Sequence, residues 1–365
     1  IAYENQQYWQ RELESNPTEF IVNTLPNQLR TSRLELGKFI GCAGDSICFF
    51  QNPTTAINTV ARGLNLGPGD EVLGTDHEYG AMEKLWDYIT EKTGSEYIRA
   101  KIPIPIKSKN NFLESFASYI SPRTRVVFIS QITSASALVL PVKEIIDFCK
   151  ERDIVTIVDG AHVPGHVDLD ISDLDPDFYV FSAHKLYGPS GLGILYMKDK
   201  WLESLDPYQG GGSMIEEVNI FETKYAKGNQ KFEAGTPPIV QVIGFSSAVD
   251  FLKTLDMKKI FSYEVELYNY AYEKIQTIDN LKIYGDSENK GAIMSFNIEG
   301  LHHNDVALLL DKKNIAIRSG HHCAQPLMKK LGITGSARAS FGIYNNKDDI
   351  DHFFESLKEI INFAK

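Results

Sequence analysis

Residues 158–197 read VDGAHVPGHVDLDISDLDPDFYVFSAHKLYGPSGLGILYM. Two apolar runs end near Asp159 and His184, and a third, GLGILYM (191–197), follows a turn rich in Gly and Pro. Runs this short and this continuously apolar predict strands covered on both faces, because a half-exposed strand would alternate. The rhythm extends upstream. SICFFQ (46–51), DEVLGT (70–75), RVVFISQI (125–132) and DIVTIVDG (153–160) alternate with helix-like TTAINTVARGL (54–64), GAMEKLWDYITEKTG (80–94) and PVKEIIDFCKERD (141–153). That alternation predicts β-α-β units around a mainly parallel sheet. Near residue 248 the pattern changes. A long helical stretch leads into AIMSFNIEG (292–300), NDVALLLDKKN (304–314) and IAIRSG (315–320), and an amphipathic helix over 347–365 closes the chain. The reading is an α/β chain: a large domain over 1–248, then a smaller α/β domain over 249–365.

The bulk properties agree. A chain of 365 residues suits two domains. Hydrophobic residues at 43% and charged residues at 23% exclude a disordered or fibrous chain. The net charge of −11 offers no pull toward nucleic acid or an anionic membrane surface. No apolar run reaches the ~18 residues of a membrane span, and the opening IAYENQQYWQRELE lacks the apolar stretch of a signal peptide. Four cysteines are too few for a disulfide scaffold at this size. Together these features predict a reducing, cytoplasmic setting. Cys42, Cys48 and Cys149 read as small core residues, and no Cys/His spacing completes a metal site.

Chemistry concentrates at strand ends. Asp159 and Lys185 each close a predicted strand, where parallel-sheet proteins bind ligands. A Lys in a tight Gly-rich turn suits an amine held against a carbonyl. In FFQNPTTAINTVARG (49–63) a strand, a turn at Pro53 and a helix start bring Thr54 and Thr55 to a helix N-terminus. That arrangement is either a phosphate seat or an ordinary helix cap. Cys323 follows Gly320, His321 and His322 in a loop near a helix start, a setting that predicts thiolate character.

With Asp159 in VDGAH and Lys185 in FSAHKLYGPSGLGILY, the chain resembles the class V branch of fold-type I pyridoxal-phosphate (PLP) enzymes, the aspartate-aminotransferase-like transferases. The resemblance implies that Lys185 forms a Schiff base with the cofactor. It implies that Asp159 keeps the pyridine nitrogen protonated, so that the ring accepts electrons from a broken bond to the substrate's α-carbon. It further implies phosphate contacts from Thr54, Thr55, Ser182 and His184, and a ring stacked over the cofactor from Tyr79 in TDHEYGAMEKLW (75–86). Ser134 and His162 fall where polar groups meet the cofactor's phenolic oxygen. Thr236, in KFEAGTPP (231–238), matches a segment that reaches the neighbouring subunit's phosphate, which implies a homodimer with composite sites.

The string RSGHHCAQPLM (318–328) resembles the signature of group II, SUF-type cysteine desulfurases, as do YQGGGSMIEEVN (208–219) and KFEAGTPP. This implies that Cys323 takes sulfur from L-cysteine as a persulfide, leaving L-alanine. A small acceptor protein in iron–sulfur cluster assembly would then receive the sulfur. Arg338, in ARASFGIYN, matches the residue that grips the substrate α-carboxylate, a task that suits a bidentate guanidinium. Arg318 is expected near the Cys loop. The subgroup is not uniform. Roughly the first 165 residues resemble the isopenicillin-N-epimerase-like branch, and roughly the last 190 the group II desulfurases. Desulfurases stack a His where Tyr79 stands, and they carry Gln and Asn at the places of His162 and Ser134. The alternative is another class V activity: an amino-acid epimerase, a C–S lyase or a specialised aminotransferase. Cys323 separates these readings, because an epimerase needs no nucleophilic thiol.

Overall fold

The structure, a computed structural model, describes residues 1–285, 287 and 290–364. Lys365, at the end of the expected last helix, lies outside the described residues, as do Asp286, Glu288 and Asn289 of the smaller domain.

The main sheet has seven strands: β1 (Ile47–Phe50), β2 (Glu71–Thr75), β3 (Glu96–Ala100), β4 (Thr124–Ser130), β5 (Val155–Asp159), β6 (Phe178–Ser182) and β7 (Gly193–Met197). Their order is β1-β7-β6-β5-β4-β2-β3. Strands β3, β2, β4, β5 and β6 run parallel, and β7 and β1 join antiparallel at one edge. The continuous apolar runs have a direct cause. Val127 and Ile129 of β4 pack into one core, while Val126 and Phe128 pack into the other. Burying such a side chain contributes about 1.5–3 kcal/mol, so both faces must be covered by helices.

Local chemistry sets the helix ends. Asn52 caps the helix Pro53–Gly63 by accepting from the Thr55 amide, and Pro53 occupies its first turn. Gly94, at φ +75°, closes the helix Gly80–Thr93 in the left-handed conformation that glycine adopts without strain.

A hairpin of β8 (Ile215–Val218) and β9 (Thr223–Tyr225) projects from the chain, with Ile220 and Phe221 more than nine-tenths exposed at its tip. A second, antiparallel sheet follows, in the order β10 (Leu281–Tyr284), β11 (Ile293–Ile298), β13 (Ser336–Ser340), β12 (Arg318–Gly320). Its own core includes Met294, Phe296, Leu310, Phe353 and Leu357. Among the described residues, no helix is long and apolar enough to cross a membrane.

The helical stretch expected to start near residue 248 is two helices. Residue 248 lies inside Ile239–Lys253, and Val249 and Leu252 pack into a core of the main sheet. The chain breaks at 254–256, where the Asp256 carboxylate caps the helix Met257–Ile275. We therefore place the division between the two sheet-bearing parts at 254–256. The amino-terminal helices Ala2–Ser15 and Leu25–Ile40 were not anticipated from periodicity. Leu25 and Phe20 cluster with Ile239, Val240 and Ile243 of the helix Ile239–Lys253, and Trp9 and Leu13 pack against them.

Candidate active site

Five segments of the main sheet and two of the small sheet converge on a cleft of about 320 Å3. At its floor, β5 ends at Asp159, which is buried and accepts from the Ala161 amide at 2.9 Å. Burial raises the Asp159 pKa, and the Ala161 amide and the Lys185 charge offset only part of that rise. Adjacent β6 ends at Ser182, and the single 3-10 turn Ala183–Lys185 turns the lysine into the cleft. Burial holds the Lys185 amine below its usual range. Asp159 opposes that shift, while Arg338 and Arg318 add to it. Its Nζ lies 3.2 Å from His162 Nε2. Burial, reinforced by Lys185, keeps the His162 ring well below its usual pKa and therefore neutral.

The small sheet supplies two guanidinium groups. Arg338 on β13 and Arg318 on β12 are register partners. Arg338 Nη1 donates to the Ser134 carbonyl at 2.8 Å, while its buried Nε has no partner. Burial and the neighbouring Arg318 charge bring the Arg338 pKa down to about 10, which leaves it cationic near neutral pH.

Cys323 is exposed, and Arg318 Nη2 donates to its Sγ at 3.3 Å. His322 and Cys323 hold φ of +51° and +57°, two consecutive left-handed residues that each cost about 1–2 kcal/mol. Long-range contacts maintain this turn. The Gly80 amide donates to the Cys323 carbonyl at 2.7 Å, and burial, together with the bond between the Tyr79 side chain and Cys323, raises the Tyr79 pKa. The sequence suggested that both histidines flank the thiol. His322 instead turns its ring away, with Nε2 at 3.0 Å and 2.9 Å from the Ser336 carbonyl and hydroxyl. Arg318 and Tyr79 are the groups that meet the sulfur.

The remaining expected residues divide. Thr54, Tyr79, Ser134, His162, Ser182 and His184 line the same cleft as Asp159, Lys185, Arg318, Cys323 and Arg338. Ser134 Oγ also reaches the His322 carbonyl at 3.4 Å. Thr55 does not line the cleft: its amide and hydroxyl both bond Asn52 Oδ1, at 2.9 Å and 3.2 Å. Thr236 is exposed and lies outside the cleft of its own chain. Asn52 and Ser130 line the cleft and were not foreseen. The N-P-T-T order signals a helix cap at Asn52, but nothing local marks Ser130.

The cleft suits PLP on its own chemistry. Ser182 Oγ is buried and unpartnered beside the helix N-terminus at Thr54, which is a donor set lacking an acceptor. Asp159 offers a buried carboxylate for a ring nitrogen, and Lys185 a depressed amine for an aldehyde.

The comparisons with known proteins agree with this chemistry. Residues 12–353 match the aminotransferase class-V family, and the chain belongs to that family. Within it, relatives named as cysteine desulfurases stand out. A probable cysteine desulfurase of Vibrio cholerae is 34% identical over 341 residues, covering 92% of this chain and 83% of its own. A cysteine desulfurase of Haloferax volcanii is 37% identical over 330 residues, covering 88% of this chain and 76% of its own. The crystal structure of the Escherichia coli cysteine desulfurase CsdA superposes with a TM-score of 0.87 at 30% identity, over 93% of this chain and 85% of that one. The cystine C–S lyase C-DES, at 22% identity and a TM-score of 0.88, shares the fold.

Proposed function

We propose that this chain is a PLP-dependent cysteine desulfurase that converts L-cysteine to L-alanine and holds the released sulfur on Cys323 as a persulfide. The carrying observation is the docking of the Cys323 loop onto Tyr79 and Gly80, which puts a thiol in the cleft of Asp159, Lys185 and Arg338. An epimerase has no use for a thiol there.

Thr54, Ser182 and His184 would hold the phosphate, Tyr79 the ring face, and Asp159 the ring nitrogen. When bound, PLP supplies an electron sink for bonds to the substrate α-carbon. Lys185 is fitted to the proton work, because burial and the two arginines favour its neutral amine and His162 fixes its direction. Arg338 offers its unpartnered Nε to the substrate carboxylate. Cys323 attacks the substrate sulfur. One S–S bond forms as the substrate Cβ–S bond breaks, the electron pair stays with carbon, and that carbon takes a proton. Cysteine plus enzyme thiol thus becomes alanine plus enzyme persulfide, with atoms and electrons balanced.

The same reading includes a homodimer, in which Thr236 completes the partner's phosphate seat, and a small protein as sulfur acceptor. The exposed position of Thr236 and the bare apolar hairpin tip support the dimer. Free Cys42, Cys48, Cys149 and Cys323 support a reducing, cytoplasmic setting.

The test is to incubate the PLP-loaded protein with L-cysteine and to quantify alanine, pyruvate and sulfide separately. Alanine is expected, with an adduct of about 32 Da, one sulfur atom, on the peptide holding Cys323. Cys323→Ser should lose both. Pyruvate in place of alanine, undiminished in Cys323→Ser, would instead establish a C–S lyase.

A further inference from the structure

Glu78 is a carboxylate that the mechanism above leaves unused. It is 2% exposed, directly precedes Tyr79, and sits behind the cleft. Its Oε1 accepts from Thr75 Oγ1 at 2.6 Å, and its Oε2 from the Ser130 amide at 2.9 Å and the Ser130 hydroxyl at 2.5 Å. Ser130 ends β4 and is the register partner of Asp159 on β5. The ionisable groups facing Glu78 are Asp159 from β5 and Tyr97 from β3. Among the described residues, no lysine or arginine forms a salt bridge with it.

The fold does not require a charge here. A glutamine amide has the same shape. Its oxygen can accept both Ser130 bonds and its nitrogen can donate to the Thr75 hydroxyl. A buried, cation-free carboxylate is costly to ionise, and burial raises the Glu78 pKa to about 7, with Asp159 adding to the rise. A costly anion that an isosteric amide could replace calls for a role in the site.

We propose that Glu78 is a positioning residue for the cofactor seat: anchored to Thr75 and Ser130, it acts as a second buried anion behind Asp159. Its charge favours a proton on the ring nitrogen that Asp159 holds, and its anchors tie the end of β2, which leads into Tyr79, to the end of β4, which pairs with β5 beside Asp159. This rests on the PLP reading above.

The experiment titrates the cofactor-free protein with pyridoxal 5′-phosphate on both sides of pH 7, for wild type and Glu78→Gln, and records the thermal midpoint of each apo protein. Glu78→Gln should melt no lower than wild type. It should bind PLP on the order of fivefold more weakly above pH 7, yet match wild type well below it, where Glu78 is already protonated. Ser130→Ala gives an independent check. It removes a hydrogen bond that favours the ionised form, so the pH at which wild-type affinity changes should move upward. The proposal fails if Glu78→Gln binds PLP as wild type does at every pH. It also fails if affinity falls equally at all pH with a lowered melting point, or if Ser130→Ala leaves the midpoint in place. Wild-type protein that takes up no PLP would overturn the cofactor reading instead.

Discussion

Gly80→Ala isolates the docking of the Cys323 loop from everything else in the cleft. A Cβ built at Gly80 would lie 2.7 Å from the Cys323 carbonyl oxygen, and the Gly80 amide already donates to that oxygen at 2.7 Å. A carbon and a carbonyl oxygen settle at about 3.3 Å, so the loop must retreat by about 0.6 Å. That oxygen belongs to the backbone of a residue already in the left-handed region, so no side-chain rotation relieves the clash. A misplacement of about 1 Å can cost about a hundredfold in rate, so the expected loss is about tenfold. Stability should fall somewhat as well, because the clash is with backbone, and the helix propensity of Ala, worth about 0.5–1 kcal/mol in a helix interior, counts for less at the first helical residue. The assay is alanine release from saturating L-cysteine, with PLP affinity and the thermal midpoint measured alongside. Slow alanine formation with normal cofactor binding is expected. Wild-type turnover in Gly80→Ala would show that the cysteine loop does not work from its docked position, and the argument from geometry would fail.

Two further tests follow from other parts of the structure. Mixing Thr236→Ala and Lys185→Ala subunits should restore part of the activity once subunits exchange, because one site in the mixed dimer then has both residues intact; no recovery, with exchange confirmed, refutes a shared site. Burial, helped by Arg338 and Arg318, lowers the His322 pKa to about 4 from an ordinary 6.5, and its buried Nδ1 has no partner to stabilise a proton. The folded state therefore binds this proton more weakly than the unfolded chain. The contribution is complete above pH 6.5 and is lost as pH falls to about 4, at a cost of about 3 kcal/mol. Denaturant titrations across that window should show the decline in wild type and a shallower one in His322→Gln; equal slopes would remove His322 as the cause.

The main sheet was legible in the sequence because burial on both faces leaves a local mark. Val126 to Ile129 must all be apolar when their side chains enter two cores. Asp159 and Lys185 were legible for a related reason: each interrupts such a run at its carboxyl end, where the sheet opens to ligand. The apolar pattern changes near residue 248, inside the helix Ile239–Lys253, and gives no mark of where that helix ends. The break is set by the Asp256 cap and by what each helix packs against.

The surroundings of Cys323 were legible only in Arg318, which was expected near its loop and does meet the sulfur. Sequence proximity pointed to His321 and His322, while the fold delivers Arg318 across a β-turn of chain and Tyr79 and Gly80 from the other sheet. Glu78 was silent, since a Glu beside a helix start reads as an exposed charge until β4 closes over it through Ser130. The sequence by itself determined which residue types stand at the strand ends, because hydrophobic burial acts on neighbours in the chain. Only the tertiary structure decided which groups face the thiol and which carboxylate loses its water, because electrostatics and hydrogen bonding act through space between segments the chain keeps far apart.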